Sequence, residues 1–199
     1  MNGLQISTGG HGRWLPLPLE GDVDEQATVA ARDITGEPSG ELVERVAALI
    51  AGNARVVRRQ VEQMAQEGIP TFLAWSLLPG PGILQPGPVA LLRGFPLAPD
   101  ATDDDVVTTV VDLEAERFGD IDVDRLETAS GTAPTVRWRP VFRDDEGTRL
   151  VHEQRAVLWP DRAHHALLVL SLYVVDLVEG GSAAEPLAEL AATVQWSPA

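Results

Sequence analysis

A chain of 199 residues with 44% hydrophobic content can build one ordinary core, because folding at this size buries roughly 70% of the unfolded surface. Cysteine is absent and all 15 basic residues are arginine, which excludes a disulfide framework, thiolate chemistry and lysine chemistry. The formal net charge of −15 repels nucleic acid and anionic membrane at long range, so nucleic acid is not an expected partner.

Met1–Gly12 is polar and glycine-rich and reads as a flexible N-terminal tail, ahead of a single α/β domain over residues 13–199. Met1–Glu20 lacks the basic start and apolar centre of a secretory signal. The longest apolar run is about half of what a membrane-spanning helix needs. The expectation is a cytoplasmic protein with no membrane insertion.

Trp14–Leu19 alternates proline with apolar residues, and Pro16 and Pro18 cannot donate to a ladder, so this is an edge strand or a strap across a sheet. Glu20–Gly36 reads as a loop, acidic in its first half. Ser39 is a candidate N-cap for a helix over Glu41–Glu67, with Leu42, Val46, Leu49, Ile50, Val57, Val61 and Met64 as one apolar stripe. Gly68 and Pro70 stop it.

Thr71–Leu78 and Pro88–Phe95 read as strands joined by the long Pro/Gly segment Pro79–Gly87. Asp103–Phe118 has helical spacing, although its valines favour a strand. Arg125–Ser130, Thr135–Arg143, Arg149–Trp159 and His165–Val175 read as four further strands. The last is apolar on both alternating faces, which marks a central strand. After Gly180-Gly181, the amphipathic run Ser182–Trp196 reads as a helix folding back over the sheet. The fold class expected is α+β: a mostly antiparallel sheet of about six or seven strands with helices packed on it.

The hairpin around Asp144–Thr148 admits two registers. Placing Arg143 opposite Thr148 puts Trp138 beside Glu153 and Phe142 beside Arg149. Placing Arg143 opposite Arg149 puts Val136, Trp138, Phe142, Leu150, Ala156 and Leu158 on one face. Arg137, Arg139, Val141, Arg143, Arg149, Val151, Glu153 and Arg155 then share the other. Burying an unpaired charge costs several kcal/mol, more than the ~0.2–1 kcal/mol of a cross-strand pair, so the second register is expected. It creates a local patch of Arg137, Arg139, Arg143, Arg149 and Arg155 on an otherwise acidic chain. Arginine forks bind carboxylate and phosphate, so the patch is a candidate site for an anion or an acidic partner. The competing reading is internal neutralisation by Asp144, Asp145, Glu146 or a neighbouring helix. The segment Pro79–Pro88 is a second candidate.

Other motifs carry less. Asp120–Asp124 opens like a calcium loop but has Arg125 at its sixth position and Gly131 at its twelfth, so it fails as an EF-hand. Asp103–Asp105 suits a helix N-terminus. His164 and His165 are adjacent and diverge at the start of a strand, so no metal site is expected there. His152 reads as a hydrogen-bonded core or rim histidine. Ser76 and Ser171 sit within strands with no elbow, and Gly9–Gly12 is followed by no helix, so no catalytic residue and no cofactor are expected.

The order of these elements, the segment Leu126-x-x-x-Ser-Gly-Thr-Ala-Pro-x-x-Arg137 and the ending Ala191-Ala-Thr-Val-Gln-Trp196 resemble small actinobacterial proteins with a PsbP-like α/β/α sandwich, a fold shared with the LpqN-type lipoproteins. The resemblance is one of layout over most of the chain. It implies a binding or accessory protein, and no site residues carry over from it. The chain departs from the lipoproteins in having no lipid-bearing cysteine. The function expected is non-catalytic binding through a protein or anion-binding surface, with a protein partner or self-association. The alternative is a small-ligand carrier or enzyme with a pocket between the long helix and the sheet.

Overall fold

The structure, a computed structural model, describes residues 4–9, 13–78, 87–175 and 177–198. In chain order the elements are β1 (Leu4–Ser7), β2 (Trp14–Pro16), α1 (Val23–Thr35), α2 (Glu41–Gln66), β3 (Thr71–Leu77), β4 (Val89–Pro96), α3 (Asp103–Thr108) and β5 (Asp122–Thr128). They continue with β6 (Gly131–Trp138), β7 (Val141–Arg143), β8 (Arg149–Val151), β9 (Glu153–Asp161), β10 (Ala166–Val174), α4 (Leu177–Thr193) and β11 (Gln195–Pro198). The fold is α+β: seven strands form an antiparallel sheet in the order β2-β3-β4-β10-β9-β6-β5, with helices packed on it. The pairs β1–β11 and β7–β8 form two small ribbons. The apolar strand β10 is the fourth of the seven, and Leu167 to Leu170, Leu172 and Val174 are all buried, as an unbroken apolar run requires.

The chain divides into two compact units, His11–Leu92 and Met1–Gly10 with Arg93–Ala199. In the first, β2 is the edge strand that its prolines predict, with Trp14 opposite Leu77 on β3. The segment expected as a loop before Gly36 is instead the helix α1. Asp22 caps it, Oδ1 accepting from the N–H of Asp24 at 2.9 Å and of Glu25 at 3.0 Å, and Gly36 closes it in the left-handed region with φ 70°. Its core-facing residues are the small Ala27 and Ala31, which gave too weak an apolar period to read. Arg58 ties down the approach to Asp22, donating to the carbonyls of Pro18 (3.1 Å), Gly21 (2.9 Å) and Glu20.

Two details of α2 correct the expectation. Its N-cap is Gly40, with no side-chain cap bond, rather than Ser39. Its buried line runs through Val43, Val46, Ile50, Ala54 and Val57, while Leu42 is exposed. Ile50, Ala51 and Ala54 share a cluster with Leu15, Leu17, Ala27, Ala31, Ala74 and Leu91. Ser76, buried on β3, accepts from Asn53 Nδ2 at 3.1 Å, a structural bond between helix and strand.

In the larger unit, Leu4–Ser7 lies inside the segment expected to be a flexible tail, yet it pairs as β1 with β11, Ile6 opposite Trp196. The helix expected over Asp103–Phe118 ends at Thr108. Thr102 and Asp105 form a capping box at its start, and the chain then turns so that Val106, Val111 and their neighbours reach the core beside Trp138, Leu158 and Val169. Beta-branched valines do not sustain a longer helix there. The closing helix starts earlier than expected, at Leu177, and runs through Gly181 and Pro186. Burial of Ala183, Leu187, Leu190 and Ala191 outweighs the poor helix propensity of those two residues. The run ends in strand β11, which contains Trp196, instead of continuing as helix.

The hairpin register is the expected one: Arg143 stands opposite Arg149 and Phe142 opposite Leu150. The same offset continues through Trp138 opposite Gln154 and Val136 opposite Ala156. Pro140 interrupts the first arm, which divides into β6 and β7, and His152 separates β8 from β9. Val136, Trp138, Ala156 and Leu158 are buried as predicted, whereas Phe142 and Leu150, beyond the break, are exposed.

Candidate functional site

Strands β5, β6 and β9 carry one row of charge in register. Asp122 stands opposite Arg137, and Arg137 stands opposite Arg155. Period-two alternation puts all three side chains on the same sheet face. The hydrophobic positions of that face include Val157, Trp159, Leu168, Leu170 and Leu172, and α4, with Leu187 and Leu190 buried, lies against β9 and β10. Towards β5, α4 presents the small residues Ala184 and Ala188, one turn apart, so no long side chain fills the space between helix and strand. A groove of about 520 Å³ remains. Leu126, Val157, Leu187 and the two alanines supply apolar lining, and Asp122, Asp124, Arg125, Arg137 and Arg155 charged lining; alternation along β5 puts the Arg125 side chain on the opposite face, where it pairs with Asp103 at 3.8 Å. Its size falls in the range of small-molecule sites, about 300–1,000 Å³.

The end of α4 is anchored to the turn between β5 and β6. Ala129 N–H donates to Ala192 O at 3.0 Å, and Ser130 Oγ donates to Val194 O at 3.0 Å. The indole N–H of the buried Trp159 donates to Thr128 Oγ1 at 3.0 Å. These bonds hold both walls of the groove. Gly131 allows the turn between them, at φ 99°.

The two guanidiniums on the groove's sheet face are held by different carboxylates. Arg137 pairs with Asp122, and both side chains are partly exposed. Arg155 donates Nε to Glu153 Oε1 at 2.7 Å, and its Nη2 lies 2.7 Å from the same oxygen as an ion pair. Arg139 gives Nε to Glu153 Oε2 at 3.1 Å. Glu153 is 2% exposed, a carboxylate shared by two arginines.

The five predicted arginines therefore divide. Arg137 and Arg155 line the groove, and Arg139 touches it only through Glu153. Arg143 and Arg149, on the β7–β8 ribbon, both reach Glu116, at 3.3 and 2.6 Å. Each of the five has a carboxylate partner, but not one of the loop acids expected to provide it. Asp144 Oδ1 caps its own turn, accepting from the N–H of Glu146 at 3.0 Å and of Thr148 at 2.8 Å. Sequence reasoning missed Asp122, Glu116, Ala184 and Ala188. The run Asp120–Asp124 was visible, but without the register of β5 nothing assigned Asp122 to the arginine face. The second candidate, Pro79–Pro88, lies outside the described residues except for Gly87 and Pro88.

Elsewhere, Arg93 is largely buried, and that burial lowers its guanidinium pKa from the ordinary value. It donates to Ser171 Oγ at 2.9 Å and stacks 5.4 Å over the Phe95 ring. His152 is a rim histidine, as expected: Nδ1 meets the Tyr173 hydroxyl, and Phe142 lies 4.9 Å from its ring centroid. His164 Nδ1 lies 2.6 Å from Asp161 Oδ2. Among the described residues, no three histidine, aspartate or glutamate side chains group to hold a metal ion, and no helix is long and apolar enough to cross a membrane.

No protein-family model matches the chain, and no curated protein matches it.

Proposed function

We propose that this chain is a non-catalytic binding or accessory protein whose ligand lies in the groove under α4, with an anionic group on Arg137 and Arg155. The observation that supports this reading is the directly opposed pair Arg137 and Arg155 at the charged side of a groove lined elsewhere by small and apolar residues. Like charges facing across a sheet repel, so an anion between them is favoured. Each guanidinium has five N–H donors, and the described contacts to Asp122 and Glu153 use only some of them. The apolar lining suits a ligand with an aliphatic body. The resemblance to PsbP-like proteins, which bind more than they catalyse, agrees with this reading, and the proposal includes a cytoplasmic location.

Isothermal titration with octanoate, octylammonium and octanol tests the proposal. Octanoate binds and octylammonium does not. Arg137→Gln weakens octanoate binding about tenfold, the scale of one charged hydrogen bond. Ala188→Phe fills the groove without changing its charge and also weakens binding. Equal binding of octanoate and octylammonium, or octanoate binding unchanged in both variants, overturns the proposal.

A further inference from the structure

Resting on that reading of the groove, we infer that Asp122 is its internal competitor: a carboxylate that occupies Arg137, is displaced by the ligand's own anion and so tunes how tightly anions bind. The two carboxylates that serve the groove arginines differ in one respect. Glu153 lies within the sheet at 2% exposure, and both its oxygens hold arginine, so it cannot leave without stranding two guanidiniums. Asp122 is the first residue of β5, an outer strand of the sheet, and its side chain is 55% exposed. Strand ends open locally at small cost, and exposed ion pairs are weak. Arg155 is thus the fixed half of the site and Arg137 the exchangeable half.

Exchange acts on one class of ligand. A ligand carboxylate that takes Arg137 replaces one ion pair by another, and Asp122 is released to water. A neutral ligand of the same length leaves the Asp122–Arg137 pair intact and gains nothing at that end. A cationic ligand meets two guanidiniums. Asp122 therefore sets a threshold for anionic ligands alone, and a neutral ligand does not meet it.

The neighbouring Asp124 supplies the control. It lines the same groove, but its Oδ1 accepts from the backbone N–H of Arg125 at 2.8 Å, and among the described residues it holds no arginine side chain. The experiment is octanoate titration of the whole protein, wild type against Asp122→Asn, Asp124→Asn, Arg137→Gln and the double variant Asp122→Asn with Arg137→Gln. Displacement predicts that Asp122→Asn binds octanoate about fivefold tighter, the worth of one exposed ion pair. It predicts a smaller change for Asp124→Asn. It also predicts that the gain vanishes when Arg137 is absent, so that the double variant binds no tighter than Arg137→Gln alone. Equal gains from Asp122→Asn and Asp124→Asn, or a gain that persists without Arg137, overturn the inference and leave the groove standing as an anion site. Failure of octanoate to bind wild type and Asp122→Asn alike removes the site itself, and the inference with it.

Discussion

Arg155 and Glu153 lie two residues apart on β9, and the glutamate, 2% exposed, accepts from Nε of the arginine at 2.7 Å and pairs with its Nη2 at the same distance. Alternation along the strand puts them on one sheet face, and Arg139, the residue after β6, reaches the other carboxylate oxygen. A buried negative charge is tolerated here because two cations meet it, each donating an N–H to one of its oxygens. The arrangement turns part of the arginine face into structure and leaves Arg137, with its exposed partner, for exchange.

Removing the shared carboxylate strands two guanidiniums in the sheet. Glu153→Ala is expected to cost about 3 kcal/mol in urea unfolding, as breaking a buried ion pair does elsewhere. Glu116→Ala also removes the partner of two arginines, Arg143 and Arg149, but all three side chains are about half exposed. Its expected cost is below about 1 kcal/mol and shrinks with added salt. Equal costs for the two variants would contradict this account of the arginine face.

Asp105 gives a pH dependence with a defined sign. The N–H of Thr102 at 2.8 Å, followed by its hydroxyl at 2.7 Å, favours the carboxylate and lowers its pKa below the ordinary value. A carboxyl whose folded pKa is depressed adds stability above its unfolded pKa, about 3.9, and loses it as pH falls through the lower folded value. Wild type is therefore expected to lose more thermal stability than Asp105→Asn on acidification from about pH 6 to pH 3. Parallel curves for the two proteins would refute the assignment.

Gly87 is required by space. A Cβ built there would lie 1.9 Å from the carbonyl oxygen of Leu77, while the Leu77 N–H donates to Pro88 O at 2.9 Å. Alanine cannot fit without moving the backbone of β3. Gly87→Ala is expected to destabilise by about 1–3 kcal/mol, the range for overpacking, whereas Gly52→Ala on α2, with open space around it, stabilises slightly. Chemical denaturation of both variants measures the contrast.

Thr128 pairs a buried indole. Its hydroxyl accepts from Trp159 Nε1 at 3.0 Å and donates to Gly131 O at 2.6 Å. Thr128→Val keeps the shape and leaves the Trp159 N–H unsatisfied, for an expected loss of about 1–3 kcal/mol. Thr128→Ser retains the hydroxyl and recovers most of it. Valine and serine variants of equal stability would show that the bond contributes nothing.

Much of the sheet was legible because its signals are local. The Pro16–Pro18 spacing marked the edge strand, and the unbroken apolar run after His165 marked β10 as central. The cost of burying charge selected one hairpin register over another that differs by a single residue. The missed elements had weak local signals. α1 rests on Asp22, Gly36 and two buried alanines, and small residues make little hydrophobic contrast. α3 stops at Thr108 although apolar spacing continues, because the core asks for valines on a turn instead of a longer helix. α4 passes through Gly180, Gly181 and Pro186, which local propensity reads as a break.

By itself, the sequence determined the alternation of side chains along each strand, and with it which arginines share a face. That alternation is a property of the backbone and needs no partner. Tertiary structure decided which carboxylate each arginine meets. Glu153 and Asp122 became partners of the groove arginines only through pairing between strands. The groove itself exists because Ala184 and Ala188, ordinary helix formers in the sequence, fall where α4 crosses β5. Those distances belong to packing between elements far apart in the chain, and no local pattern encodes them.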